Sequence, residues 1–261
     1  MKFICLTDLH LINKKKTLHG LNPSKRLEEC LRDIEAWHKD SAFCVITGDL
    51  CDFAEEESYM YLKERLQKFV LPCFLLLGNH DDRNVFKNIF PNHKEDTNGF
   101  VQHLYENEDS IFLFLDTCKQ GKNIHEGQMC TARLDWLSDQ LDKAGNKKAY
   151  LFMHHPPFHI GIPYVDKIKL VESEEFYQTL AGRTNIRHIF FGHVHRMTYV
   201  NWRGFSFTSL SGINHQVPLV KESIDSKYSD EPATYSIVTT TNDQLTVHFN
   251  TFLHRAAINC V

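Results

Sequence analysis

Side chains that can bind metal or move protons gather in short stretches: Asp8-Leu9-His10, Gly48-Asp49, Gly78-Asn79-His80-Asp81, His154-His155 and Gly192-His193-Val194-His195. Each follows an apolar run that reads as a strand, so each falls where a strand should end. Carboxylate and amide oxygens with imidazole nitrogens, and no thiolate among them, suit a pair of Mn, Fe, Zn or Co ions better than a structural zinc site. If the strand runs on past Thr7, Asp8 and His10 project to the same side and supply one ion with two ligands. The two oxygens of Asp49 can be shared between two cations, and Asn79 can offer a neutral carbonyl oxygen to the second. Of the adjacent His154 and His155 only one should face the site, whereas His193 and His195, two apart, can both do so. Taken singly, each stretch is equally a polar strand end or turn; together they point to phosphoester chemistry. For His19, His38, His93, His103, His125, His188, His248 and His254 a hydrogen-bonded core or surface role is the expectation.

The elements that must position these residues follow from periodicity. Residues 2–7, 43–47, 73–77, 111–115, 149–153 and 187–191 are short apolar runs and read as buried strands. Between them, Leu27, Leu31, Ile34 and Trp37 recur at helical spacing and predict a helix over 24–38. Tyr59, Leu62, Leu66 and Phe69 do the same over 55–69, as do Leu134, Leu137 and Leu141 over 131–144. Strands alternating with amphipathic helices predict an α/β layer fold with ligands at the loops leaving the strand ends. Residues 12–22 form a Lys-rich loop, 91–99 a polar one and 155–170 a Pro- and Gly-containing excursion. After Gly212 the alternation stops, and 234–240 and 244–250 read as a hairpin about Asn242-Asp243. The expected division is a catalytic domain over 1–212 and a C-terminal extension over 213–261 that packs on the core, caps the site or mediates self-association.

With 261 residues and 42% hydrophobic content, the chain can bury the core of one large domain. A net charge of -4 and a pI near 6.5 argue against a polymer nucleic-acid binder, which needs a basic face. Eight cysteines without a CxxC pair, several inside apolar runs, fit reduced thiols and a cytoplasmic protein. The run Phe3-Ile4-Cys5-Leu6 is too short for a signal peptide, and no stretch approaches the ~20 apolar residues of a membrane span.

In this order, the stretches resemble the calcineurin-like metallophosphoesterase superfamily, whose pattern runs D-x-H, G-D, G-N-H-[DE], H and G-H-x-H. The resemblance covers about residues 2–215 and implies a four-layer α/β/β/α sandwich with two sheets. It implies that Asp8, His10, Asp49 and His195 hold one divalent ion and Asp49, Asn79, His154 and His193 the other, with His154 selected by the family's H-x-P spacing. It further implies that His80 faces the substrate and serves the leaving group, with Asp81 placed to orient it. Two divalent ions and two carboxylates sum to roughly +2, a charge that hydroxide and a phosphodiester anion bring near neutrality. Such a metal pair generates hydroxide from water and stabilises both oxygens of an in-line displacement.

Local detail narrows the branch. Asp81 stands where phosphoprotein phosphatases carry Glu, and Gly48-Asp49-Leu50-Cys51-Asp52 lacks their Arg-Gly. The chain is similar to class III cyclic-nucleotide phosphodiesterases and bacterial glycerophosphodiesterases in Gly78–Asp82, Leu115-Asp116-Thr117, Trp136-Leu137, Met153–Pro157 and Gly212–Pro218. That resemblance makes His215 a substrate-side residue beside Asn79 and His80, and gives a small phosphodiester as substrate, a 3′,5′-cyclic nucleotide first and a glycerophosphodiester or a broader phosphoester range as alternatives. His155 and Asp116 are either supports of the ligands or braces of their loops; Phe158, Tyr164 and Phe205 either stack on a base or pack the core. A catalytically dead scaffold of this fold should lack ligands, and none is missing. An exonuclease should add a capping domain and a basic groove. Pro163–Leu170 and the hairpin are the candidate dimer elements.

Overall fold

The computed structural model describes residues 1–122, 124–219 and 227–253. In chain order its elements are β1 (Lys2–Leu6), α1 (Pro23–Trp37), β2 (Cys44–Ile46), α2 (Glu56–Lys68), β3 (Cys73–Leu75), α3 (Arg83–Ile89), β4 (His103–Glu106), β5 (Ser110–Phe114), α4 (Thr131–Ala144), β6 (Lys148–Met153), α5 (Pro163–Asp166), α6 (Ser173–Leu180), β7 (Ile186–Phe191), β8 (Thr198–Trp202), β9 (Phe205–Ser209), β10 (Thr234–Thr240) and β11 (Leu245–Thr251). A 5-stranded sheet runs β11-β10-β1-β2-β3 and a 6-stranded sheet runs β4-β5-β6-β7-β9-β8. β1, β2 and β3 are mutually parallel, as are β5, β6, β7 and β9.

Alternation along the strands sorts the core into layers. In β1, Ile4 and Leu6 join the cluster under α1, α2 and α3, while Phe3 and Cys5 face the other way into the space between the sheets. That inter-sheet layer is largely aromatic. Neighbours in register stack: Phe112 on Tyr150, Phe114 on Phe152 and Phe152 on Phe190, with ring centroids 5.1, 5.1 and 5.2 Å apart. A third cluster joins the outer face of the second sheet to α4, α5 and α6. Helices, sheet, sheet and helices therefore form the expected α/β/β/α sandwich. Each fully buried Phe in it contributes about 2–3 kcal/mol.

The predicted helices form, α1 beginning where the Asn22 side chain accepts the Lys25 N–H at 2.8 Å. Trp37 leaves the expected buried stripe: it lies in the last turn and is 65% exposed. The hairpin is more than an extension laid on the core. β10 pairs antiparallel with β1 along Lys2–Cys5, so residues 234–251 supply two strands of the first sheet, and Tyr235 and Val238 are buried within it. No helix among the described residues is long and apolar enough to cross a membrane.

Candidate metal centre and active site

The parallel strands β1, β2, β3, β6 and β7 deliver their C-terminal loops to one end of the crevice between the sheets. All the predicted donors meet there. Asp8 and His10 do not get there by strand alternation, because β1 stops at Leu6 and both residues turn into left-handed backbone, at φ 53° and 46°. Asp49, His193 and His195 are also left-handed, at φ 50°, 71° and 48°. Such conformations cost of order 1–3 kcal/mol each and persist where surrounding structure enforces them. Enforcement is visible: the amides of Asp8 and His10 donate to the carbonyls of Gly48 and Asp49, and the His193 amide donates to Asp8 Oδ1. Glycines let the loops close. A Cβ on Gly78 would lie 2.2 Å from Asp49 Oδ1, and one on Gly48 2.5 Å from His154 Nδ1.

Two donor sets result. In the first, Asp8, His10, Asp49 and His195 bring potential ligand atoms within 4.8 Å of one another. His10 Nδ1 bonds to Asp52 Oδ1 at 2.8 Å and His195 Nδ1 to the His215 carbonyl at 2.8 Å, so in the neutral rings both protons sit on Nδ1. Their Nε2 lone pairs then face each other at 3.0 Å. In the second set, His154 Nδ1 donates to the Thr47 carbonyl at 2.7 Å, and its Nε2 faces Asn79 Oδ1 and Asp49 Oδ2, each at 3.3 Å. His193 Nδ1 lies 2.9 Å from the same Asn79 oxygen. Asp49 Oδ2, also 3.5 Å from His10 Nε2, stands between the sets.

Lone pairs converging in a buried space call for cations. Asp8 Oδ2 and His193 Nε2 are buried with no hydrogen-bond partner. Burial works to lower the pKa of His154, yet the Asp49 carboxylate prevails and pushes it up to about 9, a proton standing where positive charge is wanted. Burial also works to raise Asp49, but the surrounding imidazoles, His154 first, hold its carboxyl well below the usual range. The donors present thus fit two divalent ions, with oxygen and nitrogen ligands throughout.

His80 stands beside both sets. Its amide donates to Asp49 Oδ1 at 2.9 Å and its Nδ1 to the Asp52 carbonyl at 2.9 Å. Asp81 does not orient it: the Asp81 carboxylate accepts from the amides of Leu50, Cys51 and Gly78 and from the Tyr59 hydroxyl, tying the two glycine-containing loops together. His215 stacks on His195 with centroids 4.5 Å apart, and Asn214 Nδ2 donates to its Nδ1 at 3.1 Å, which leaves Nε2–H as a donor. His155 bonds Thr117 Oγ1 at 2.8 Å through Nδ1 and lies within the His154–His193 group. Asp116 braces a loop: Arg83 grips it through Nε and Nη2 at 2.8 and 2.9 Å, and it accepts from the amides of Val101 and Cys118. Phe158 is buried against Phe191 and Phe207, and Phe205 and Tyr164 pack, partly buried, against the same outer cluster.

Three contributors escape sequence reasoning. Asp52 fixes the His10 tautomer, His125 Nδ1 takes the Asn79 amide at 3.2 Å and so turns the Asn79 oxygen inward, and His19, stacked on Tyr228 at 3.9 Å, approaches His215 at 4.7 Å. The Asp three residues after Asp49 was the one available signal; His19 and His125 lie in irregular loops that carry none.

The sequence profile of calcineurin-like phosphoesterases matches residues 1–197. The chain belongs to that family. As a phosphoesterase it is 36% identical, over 97% of its length and 93% of the relative's, to a protein of Rhodopseudomonas palustris named as a probable cyclic nucleotide phosphodiesterase. It is 28% identical, over 95% and 92%, to an Arcobacter nitrofigilis protein named as a probable glycerophosphodiester phosphodiesterase. Among solved structures, the phosphoesterase fold superposes on a dimetal phosphatase from Danio rerio with a TM-score of 0.74, at 13% identity and covering 97% and 96% of the two chains. The phosphoesterase is a hydrolase with a binuclear metal site.

Proposed function

We propose that this enzyme hydrolyses a small phosphodiester, a 3′,5′-cyclic nucleotide, in the cytosol. The observation that carries phosphodiester hydrolysis is the pair of donor sets meeting at Asp49 Oδ2 with His80 and His215 beside them. The choice of a cyclic nucleotide leans on the Rhodopseudomonas relative, which matches along nearly the whole chain. Free thiols at the described cysteines support the cytosolic assignment.

Asp8, His10, Asp49 and His195 would hold one ion, and Asp49, Asn79, His154 and His193 the other. Bound ions supply Lewis-acid polarisation of a phosphoryl oxygen and lower the pKa of water. The rest falls to the chain. Asn79 and His215 orient the phosphoryl group, His215 through its Nε2–H. Burial works against the charged ring of His80, but the Asp49 carboxylate raises its pKa; as the imidazolium, with Nδ1–H committed to the Asp52 carbonyl, His80 presents Nε2–H and delivers that proton to the leaving oxygen. Asp52 and Thr47 keep His10 and His154 in the tautomer that leaves Nε2 open.

The test is a substrate panel with Mn: 3′,5′- and 2′,3′-cyclic nucleotides, glycerophosphodiesters and simple monoesters. The highest kcat/KM is expected for a 3′,5′-cyclic nucleotide. A preference for glycerophosphodiesters would replace it with the second reading, which the Arcobacter relative supports. Monoester turnover without diester turnover would overturn both.

A further inference from the structure

Away from the donor sets, a cavity of about 530 Å³ opens beside the edge strand β3, between α2 and the chain following α3. No donor-set residue lines it. Its size lies within the ~300–1,000 Å³ of small-molecule sites. The walls are largely apolar, with Leu66, Phe69, Phe74, Phe86, Phe90 and Val101 among them. Beside the neutral amides of Gln67 and Asn92, the polar side chains are basic. Lys63, His93, Lys94 and His103 line the cavity, and among the described residues no Asp or Glu does, although the chain carries 33 acidic residues.

These basic groups differ in how far they are committed, and burial, which lowers the His103 pKa to about 4, leaves that ring neutral. Lys63 Nζ donates to the Ile89 carbonyl at 2.7 Å, and His93 is held between the Phe90 carbonyl and Glu95. Lys94 is exposed and forms no ion pair among the described residues. His103 packs its ring on Phe114 at 4.8 Å, and its buried Nδ1 has no hydrogen-bond partner. An apolar-walled cavity with a free ammonium at its rim and an unanswered ring nitrogen in its lining is complementary to a molecule with an apolar body and one negative end.

We propose that this cavity binds a small amphipathic anion, a hydrocarbon or aryl body bearing a single carboxylate, at a site separate from the metal centre. The apolar body lies against Phe69, Phe86 and Phe90, and the carboxylate meets Lys94. Cys73, half-buried in the same lining, reports on occupancy.

Octanoate serves as the probe, with octanol and octylamine as neutral and cationic counterparts, titrated calorimetrically into the full chain. Octanoate should bind saturably at one site and at least fivefold more tightly than either counterpart. Lys94→Glu, an exposed substitution that should leave Tm unchanged, should weaken octanoate about fivefold, the factor expected of one partly exposed ion pair, and leave octanol unaffected. Octanoate should also slow iodoacetamide alkylation of Cys73 at least threefold while sparing Cys130. No saturable binding, equal binding of all three probes, or undiminished Cys73 labelling overturns the proposal. So does a dimer in sedimentation that octanoate dissociates, since a second copy of the chain would then be the natural occupant.

Discussion

Asp52→Ala tests the tautomer argument at its root. The Asp52 carboxylate accepts the His10 Nδ1 proton at 2.8 Å and thereby leaves His10 Nε2 as a lone pair facing His195 Nε2. Without that acceptor the ring is free to carry its proton on Nε2 and to turn. Groups that orient a ligating histidine typically contribute 10–100-fold to metal affinity, about 1.4–2.8 kcal/mol. The loss should fall on the ion held by His10 and His195, because Asp52 touches no atom of the His154–Asn79–His193 set. His80 should keep its orientation, since alanine preserves the Asp52 backbone carbonyl that its Nδ1 bonds, but it loses the Asp52 carboxylate 3.5 Å away and its pKa should fall. The assay is activity against free Mn in a chelator-buffered series, with bound metal counted by elemental analysis. One metal should be lost 10–100-fold more easily, and saturating Mn should restore most of kcat. Unchanged affinity for both ions, or equal weakening of both, would refute the argument.

His80→Ala should reduce turnover of an alkoxide-leaving diester far more than that of bis-nitrophenyl phosphate, whose leaving group needs no proton; equal losses would remove His80 from the proton-donor role. Gly78→Ala drives a Cβ to 2.2 Å from Asp49 Oδ1, so it should displace the carboxylate that stands between the two donor sets and lower bound metal from two equivalents, and two retained equivalents would count against its proposed sharing. Burial lowers the His188 pKa from the usual 6.5 to about 4. Between those values the unfolded chain binds a proton that the folded chain refuses, so stability contributed by His188 is present above pH 6.5 and is lost as pH falls toward 4, up to about 3 kcal/mol. In chelator, His188→Gln should flatten the fall of Tm across that window; parallel curves would argue against it.

The sandwich was legible because its central strands are buried on both faces and so read as unbroken apolar runs, and because α1, α2 and α4 bury single stripes. β4, β8 and β9 were not foreseen: they lie toward the second sheet's β4 and β8 edges, where runs such as Thr198–Trp202 alternate half-buried and exposed positions and mix polar residues in. The eight-residue α6 is too short to establish a period. β10 looked like an appendage because its pairing with β1 spans more than 230 residues of chain, a contact that no local pattern encodes. At the site, residue types and spacing brought together all the expected donors. Backbone conformation stayed hidden, since an Asp or His in left-handed geometry looks like any other Asp or His until the neighbouring loop that enforces it is in place.

Asp8, His10, Asp49, His193 and His195 all occupy backbone that glycine would adopt without strain. An engineer who screens variants of this enzyme by heat resistance alone will therefore be led toward substitutions in the very loops that make it an enzyme. Glycine at Asp8 would remove both a left-handed non-glycine residue and a buried carboxylate with an unanswered oxygen. Selection for thermostability has to be run with metal and turnover in the same screen, or its winners will be robust and inert.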